Sequence, residues 1–246
     1  MLKKIFGCAL CCLSLSLFAQ PFIKIGHRGA RDMALYPENT IAAFKFALSC
    51  GVDAVECDVQ QCKTGELVVI HRKKAKELLL GAVVAEKTLQ ELQQLDVGKG
   101  EHVPTFEQLL DYIDRRVIVF IDIKAPDIEE AVVKILQKYI REKGWLPKHF
   151  VLANDYNKIT ICRDLMPEIK RMVPYFPEKE ATIEDLSKRA LIIVMSTNEK
   201  NIEQYIDSTH KAGSLFYIGD IDTQEDIEKY TALGVDGILS DRPDLF

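Results

Sequence analysis

The stretch Gly51-Val52-Asp53-Ala54-Val55-Glu56-Cys57-Asp58-Val59-Gln60-Gln61-Cys62-Lys63-Thr64-Gly65-Glu66-Leu67-Val68-Val69-Ile70-His71 holds two apolar runs joined by a turn signal. The first run, 54–59, is nearly continuous rather than alternating, as in a parallel strand covered on both faces. Lys63-Thr64-Gly65-Glu66 is too short a link for the crossover that a parallel neighbour requires. The second run, 67–70, is therefore predicted to return antiparallel as a hairpin. A turn centred near Thr64 sets His71 across from about Asp58, so the hairpin brings a histidine back beside two carboxylates.

Outward from this stretch the pattern repeats. Apolar runs at 22–26, 117–123, 150–153, 169–173, 191–195, 215–218 and 237–239 read as further strands. Helical periodicity falls between them, at 40–49, 89–95 with 105–113, 128–141, 159–165, 183–189, 199–211 and 224–233. Eight buried strands alternating with helices predict an α/β fold, a single (β/α)8 TIM-type barrel with a short β-hairpin extension after the second strand. No G-x-G-x-x-G follows the first strand, which argues against a dinucleotide-binding sheet. No linker or low-complexity segment divides residues 20–246, which read as one barrel domain.

Residues 1–19 differ from the rest. Lys3 and Lys4 precede an apolar run over 5–18, and Ala19 offers a cleavage point, the layout of a signal peptide. The expectation is an exported protein, periplasmic or secreted, with no stable membrane insertion once the signal is removed. Four cysteines then remain, Cys50, Cys57, Cys62 and Cys162; none has zinc-ligand spacing, and they read as small buried hydrophobes. With 48% hydrophobic and 28% charged residues the chain has ample core, and its net charge of −5 argues against a nucleic-acid partner. Small phosphate compounds remain open as ligands, since they need only a local cationic pocket.

In a β/α barrel the reactive groups gather at the C-terminal ends of the strands. His27 follows the first strand, Glu56 and Asp58 end the second, and Asp122 and Lys124 end the third parallel one. Glu56 and Asp58 share strand parity, as do Asp122 and Lys124, so each pair can point inward together. Three clustered carboxylates repel one another unless a cation joins them, and an all-oxygen set favours magnesium or calcium over zinc. Arg28 and Lys124 can neutralise a phosphate, and His27 and His71 can move protons near neutral pH. A second reading stays open: Asp53, Glu56 and Asp58 as a solvated strand end, with Arg28 and Lys124 as plain salt-bridge partners. Gly29 suits a tight turn and Asn39 or Thr40 a helix N-cap, while His102, His149 and His210 read as surface or structural.

The runs H-R-G-A from His27, Y-P-E-N-T-I-A-A-F from Tyr36, G-V-D-A-V-E-C-D-V from Gly51 and G-E-L-V-V-I-H from Gly65 resemble the glycerophosphodiester phosphodiesterase family. V-P-T-F-E-Q-L-L, I-D-I-K and G-V-D-G-I-L-S-D-R-P-D follow in the same order, so the likeness spans 22–246. The resemblance implies a divalent cation, Mg or Ca, held by Glu56, Asp58 and Asp122. It also implies His27 and His71 as the acid–base pair, and Arg28 and Lys124 on the phosphate of a small glycerophosphodiester substrate. The implied activity is hydrolysis to glycerol 3-phosphate and an alcohol. Competing expectations are a catalytically weakened barrel that binds phosphodiesters, or a phospholipase D-like relative acting on lysolipids. Three departures from the family stand out: Arg72 where aspartate is usual, Ala75-Lys76-Glu77-Leu78 where an arginine-threonine pair is usual, and Asp122 where glutamate is usual. The basic run 72–74 reads as a solvated loop near the rim, with recognition of a more anionic head group as its alternative.

Overall fold

Eight parallel strands close into a ring in the computed structural model, which describes residues 22–31, 35–178, 181–196 and 201–246. The expected signal segment lies outside the described residues. In chain order the strands are β1 (Ile23–Gly26), β2 (Ala54–Gln61), β3 (Leu67–Val69), β4 (Ile118–Ile123) and β5 (Phe150–Ala153). They continue with β6 (Lys170–Pro174), β7 (Ile192–Ser196), β8 (Leu215–Gly219) and β9 (Gly237–Ser240). The order around the sheet is β1-β9-β8-β7-β6-β5-β4-β2, and β1 pairs β2 to complete the barrel. Strand β3 stands outside the ring, antiparallel on β2 with Val59 opposite Val69. The fold expected from the sequence is the fold found.

The helices are α1 (Ile41–Ser49), α2 (Arg72–Leu78), α3 (Leu89–Gln93), α4 (Phe106–Ile113), α5 (Glu129–Glu142), α6 (Ile159–Leu165), α7 (Ile183–Ser187), α8 (Ile202–Lys211) and α9 (Gln224–Ala232). Threonine hydroxyls cap many of them, at Thr40, Thr88, Thr105, Thr182 and Thr223, each accepting from a backbone N–H one turn in. Along α4 the buried residues Phe106, Leu109, Leu110 and Ile113 recur at helical spacing and pack on the outward side chains of the barrel, Val55, Cys57, Ile121 and Ile123 among them. Among the described residues no helix is long and apolar enough to cross a membrane, and Cys50, Cys57, Cys62 and Cys162 are free thiols.

Strand alternation divides each wall into two faces. Ile25, Ala54, Phe120, Met172, Ile192, Tyr217 and Leu239 form a separate core inside the ring. The Phe120 and Tyr217 rings lie 6.0 Å apart and plug the barrel; Gly237 makes room, since a Cβ there would sit 2.6 Å from the Tyr217 ring. Register then decides what lies above the plug. Glu56 pairs with Phe120 and Asp58 with Asp122, so the inward positions change from apolar to acidic on moving toward the C-terminal rim.

One local reading needs correction. The basic run 72–74 is the first turn of α2, not a loop. His71 accepts the Lys73 N–H through Nδ1 at 3.4 Å, and Ala75 is buried in a small apolar layer with Ile70, Val84 and Leu92. That anchoring over one apolar face is enough to hold a short helix whose remaining side chains are mostly charged.

Candidate active site

The loop after β1 is folded against α1 with almost no clearance. A Cβ on Gly26 would lie 2.3 Å from the Gly29 carbonyl oxygen. Gly29 has φ +78°, and a Cβ there would lie 2.8 Å from the backbone of Ala43 and Phe44. Arg28 and Asn39 also take left-handed conformations, φ 54° and 61°, joined by a 3.0 Å bond from the Asn39 N–H to the Arg28 carbonyl. Backbone strain of this kind persists only where surrounding contacts determine it. Here it turns His27, Arg28 and Asn39 toward the carboxylates of β2.

Glu56, Asp58 and Asp122 each place a carboxylate oxygen within 4.8 Å of the others. Glu56 and Asp58 are only 3% and 1% exposed, so the reading of a solvated strand end does not hold for them. Asp53 lies apart, just before β2, accepting the Lys24 N–H. The Arg28 N–H donates to Glu56 at 2.9 Å, and its guanidinium donates to Glu38 at 2.9 Å. Arg28 Nε lies 3.3 Å from Asp58 but is not aligned to hydrogen-bond it. Asn39 grips Asp58 twice, donating through its amide at 2.8 Å and accepting the Asp58 N–H at 3.2 Å. Lys124 lies 3.5 Å from Asp58 and hydrogen-bonds Asp122.

Burial, together with the negative charge of Asp58, pushes the Glu56 carboxyl up to about 8. Burial also raises Asp122, against the pull of Lys124. The donor set suits a hard divalent ion: three oxygen ligands, largely withdrawn from water, whose mutual repulsion such an ion would relieve. A consequence for the metal-free chain follows by linkage. Folded Glu56 keeps its proton to about pH 8, while the unfolded side chain loses it near 4.5. The folded form thus loses stability as pH rises through that window. Denaturant melts of chelator-treated protein are therefore expected to show Glu56→Gln gaining on wild type from pH 4.5 to 8. A difference that stays flat with pH would contradict the shift.

The histidines meet different carboxylates of the cluster, His27 facing Glu56 and His71 feeling the charge of Asp58. His27 donates from Nδ1 to Asp241 at 2.8 Å, leaving Nε2 turned toward Glu56 at 3.9 Å. Burial pulls the His27 pKa down, but the Asp241 hydrogen bond and the Glu56 charge outweigh it, and the net direction is up. Asp241 also pairs with Arg31 at 2.6 Å and is itself oriented by Asp222, which accepts its N–H at 2.8 Å. His71 stands one residue past the strand position opposite Asp58, since the Ile70 N–H bonds the Asp58 carbonyl at 3.0 Å. It remains within electrostatic reach of Asp58, Arg28, Glu38 and Lys124; burial lowers its pKa against the pull of Asp58.

All seven residues singled out from the sequence thus lie at one rim. Three supporting residues did not come from strand-end reasoning: Glu38, Asn39 and Asp241. Thr40 is the cap of α1, which frees Asn39 for Asp58. The signal for Asp241 lay in the run Ser240-Asp241-Arg242-Pro243-Asp244 at the end of β9, the neighbour of β1.

The family model for the glycerophosphoryl diester phosphodiesterase family matches residues 27–245. A glycerophosphodiester phosphodiesterase of Caldanaerobacter subterraneus is 32% identical over 241 residues, covering 89% of this chain and 94% of that protein. One from Bacillus subtilis is 26% identical over 261 residues, covering 91% and 85%. The crystal structure of glycerophosphodiester phosphodiesterase from Agrobacterium tumefaciens superimposes with a TM-score of 0.76 at 25% identity, covering 92% of this chain and 99% of that one. A match that begins at His27 and runs past the last strand shows that the chain belongs to the glycerophosphoryl diester phosphodiesterase family and is a phosphodiesterase.

Proposed function

We propose that the chain hydrolyses glycerophosphodiesters to glycerol 3-phosphate and an alcohol, with a divalent cation, Mg or Ca, at Glu56, Asp58 and Asp122. The observation that carries this reading is the pair of histidines beside one cluster of three carboxylates, two of them buried and the third half-buried. When bound, such an ion supplies Lewis acidity toward the phosphoryl oxygens and lowers the pKa of an attacking hydroxyl.

The remaining work falls to the chain. Arg28 and Lys124 are poised between carboxylates and the open rim, where they hold the phosphodiester and neutralise charge that grows on its oxygens. One histidine accepts the proton of the attacking hydroxyl, from water or from the substrate's own glycerol, and the other protonates the departing alkoxide. The bond between phosphorus and the head-group oxygen breaks, a bond to the attacking oxygen forms, and one water is consumed overall. Asp241 holds the His27 ring in one tautomer, keeping Nε2 on the cluster side.

The purified chain is expected to release glycerol 3-phosphate from glycerophosphocholine when magnesium or calcium is present. Chelation is expected to cut the rate by at least about 100-fold, and restoring the ion to recover it. Turnover indifferent to chelator overturns the metal assignment; binding without product overturns the hydrolytic one.

A further inference from the structure

Helix α2 begins at the residue after His71 and carries Arg72, Lys73, Lys74 and Lys76 against a single acid, Glu77. The chain as a whole has 37 acidic residues to 32 basic, so the segment runs against the balance of the protein. Its cations are also badly placed for the helix itself. Three of them occupy the first turn, which holds no acid, and a helix start favours negative charge. Arg72 and Lys76 are four residues apart, the spacing at which like charges repel.

The His71 cap and the buried Ala75 hold the helix, but among the described residues no acidic side chain answers its charge. Among the described residues, none of the four cations forms an ion pair. Some surface cations are paired, Lys138 with Glu107, Lys143 with Asp111 and Lys188 with Glu184, while isolated lysines such as Lys45 and Lys134 are not. What sets α2 apart is four unpaired cations within five residues. Arg72, Lys73 and Lys76 are exposed, while Ala75 is buried and fixes the helix in place. The Arg72 Cα lies about 3.8 Å from that of His71, so its guanidinium is within side-chain reach of a group bound beside the histidine. Arg28 and Lys124, by comparison, are already engaged by Glu38, Asp58 and Asp122.

We infer that Arg72, Lys73 and Lys74 select phosphodiesters whose departing alcohol carries a further anionic group, a second phosphate above all. The inference rests on the phosphodiesterase reading given above. The anionic head group supplies the counter-charge that α2 lacks, and a cationic head such as choline is disfavoured at the same place.

The test compares kcat/KM for three substrates sharing one glycerophosphoryl unit: bis(glycerophospho)glycerol with its second phosphate, glycerophosphoglycerol with a neutral head, and glycerophosphocholine. The expected order follows head-group charge, with about tenfold between first and last at low salt. The spread is expected to shrink in about 0.5 M salt, where screening is short-ranged. The triple variant Arg72→Gln, Lys73→Gln, Lys74→Gln is expected to bring the ratio to within about twofold, with far-UV circular dichroism checking its fold. Equal wild-type values at low salt, a preference insensitive to salt, or one retained by a folded triple variant overturns the inference. Absence of turnover on all three overturns the phosphodiesterase reading and this one with it.

Discussion

His27→Ala is expected to lower kcat by about 10²–10⁴-fold, and His71→Ala by a similar factor, while both proteins stay folded. Loss of the His27 ring leaves Asp241 paired with Arg31 at 2.6 Å, so no buried charge is stranded. Loss of the His71 ring removes one long cap to Lys73, worth about 1 kcal/mol or less. Thermal melts should therefore move little. If the two rings serve one proton circuit, the double variant falls only slightly below the slower single one. Rates multiplying independently, or near wild-type turnover in either variant, would contradict the shared role.

Asp58→Asn is expected to have the next largest effect, and to act through cation affinity. Asp58 is the hub of the cluster: Asn39 grips it twice, Lys124 lies at 3.5 Å and Arg28 at 3.3 Å. The substitution keeps the shape and removes one ligand charge. At a fixed, limiting concentration of magnesium or calcium, kcat/KM should fall by at least about 100-fold. Raising the ion concentration should recover part of it, and calorimetry should show the weakened binding directly. A variant that loses activity at every ion concentration, with unchanged ion binding, would show Asp58 acting otherwise. Arg28 keeps Glu38 and Lys124 keeps Asp122 as partners, so the neighbouring cations are not left bare.

The barrel was legible because its signals are repeated. Eight apolar runs with helices between them leave little freedom once parallel pairing is recognised, and errors at strand ends, such as 54–59 against the observed Ala54–Gln61, do not alter the ring. Parity carried the site as well: Glu56, Asp58, Asp122 and Lys124 face inward for the same reason that Ala54 and Phe120 do. What parity could not show was anything set by a loop. Asn39 and Thr40 were equal candidates for one cap, and what separates them is the positive φ that turns Asn39 to Asp58 and the Ala43 N–H that bonds Thr40. Asp241 was hidden for a different reason, since its partner lies 214 residues away and pairing between first and last strands is a matter of closure. Helix α2 escaped because three lysines and an arginine around one alanine give no readable apolar stripe.

That closure has a bearing on how the protein is made. The backbone of His27 is tied to the last strand, its N–H bonding the Ser240 carbonyl at 2.9 Å, while its ring leans on Asp241. A chain emerging from the ribosome carries its most reactive loop first and the groups that steady it last. Until β9 docks beside β1, His27 has neither its fixed tautomer nor its anchored backbone, however complete the carboxylates of β2 and β4 already are. Growing chains and fragments ending before residue 237 would therefore stay chemically silent. Catalysis would switch on in one step, at the completion of folding.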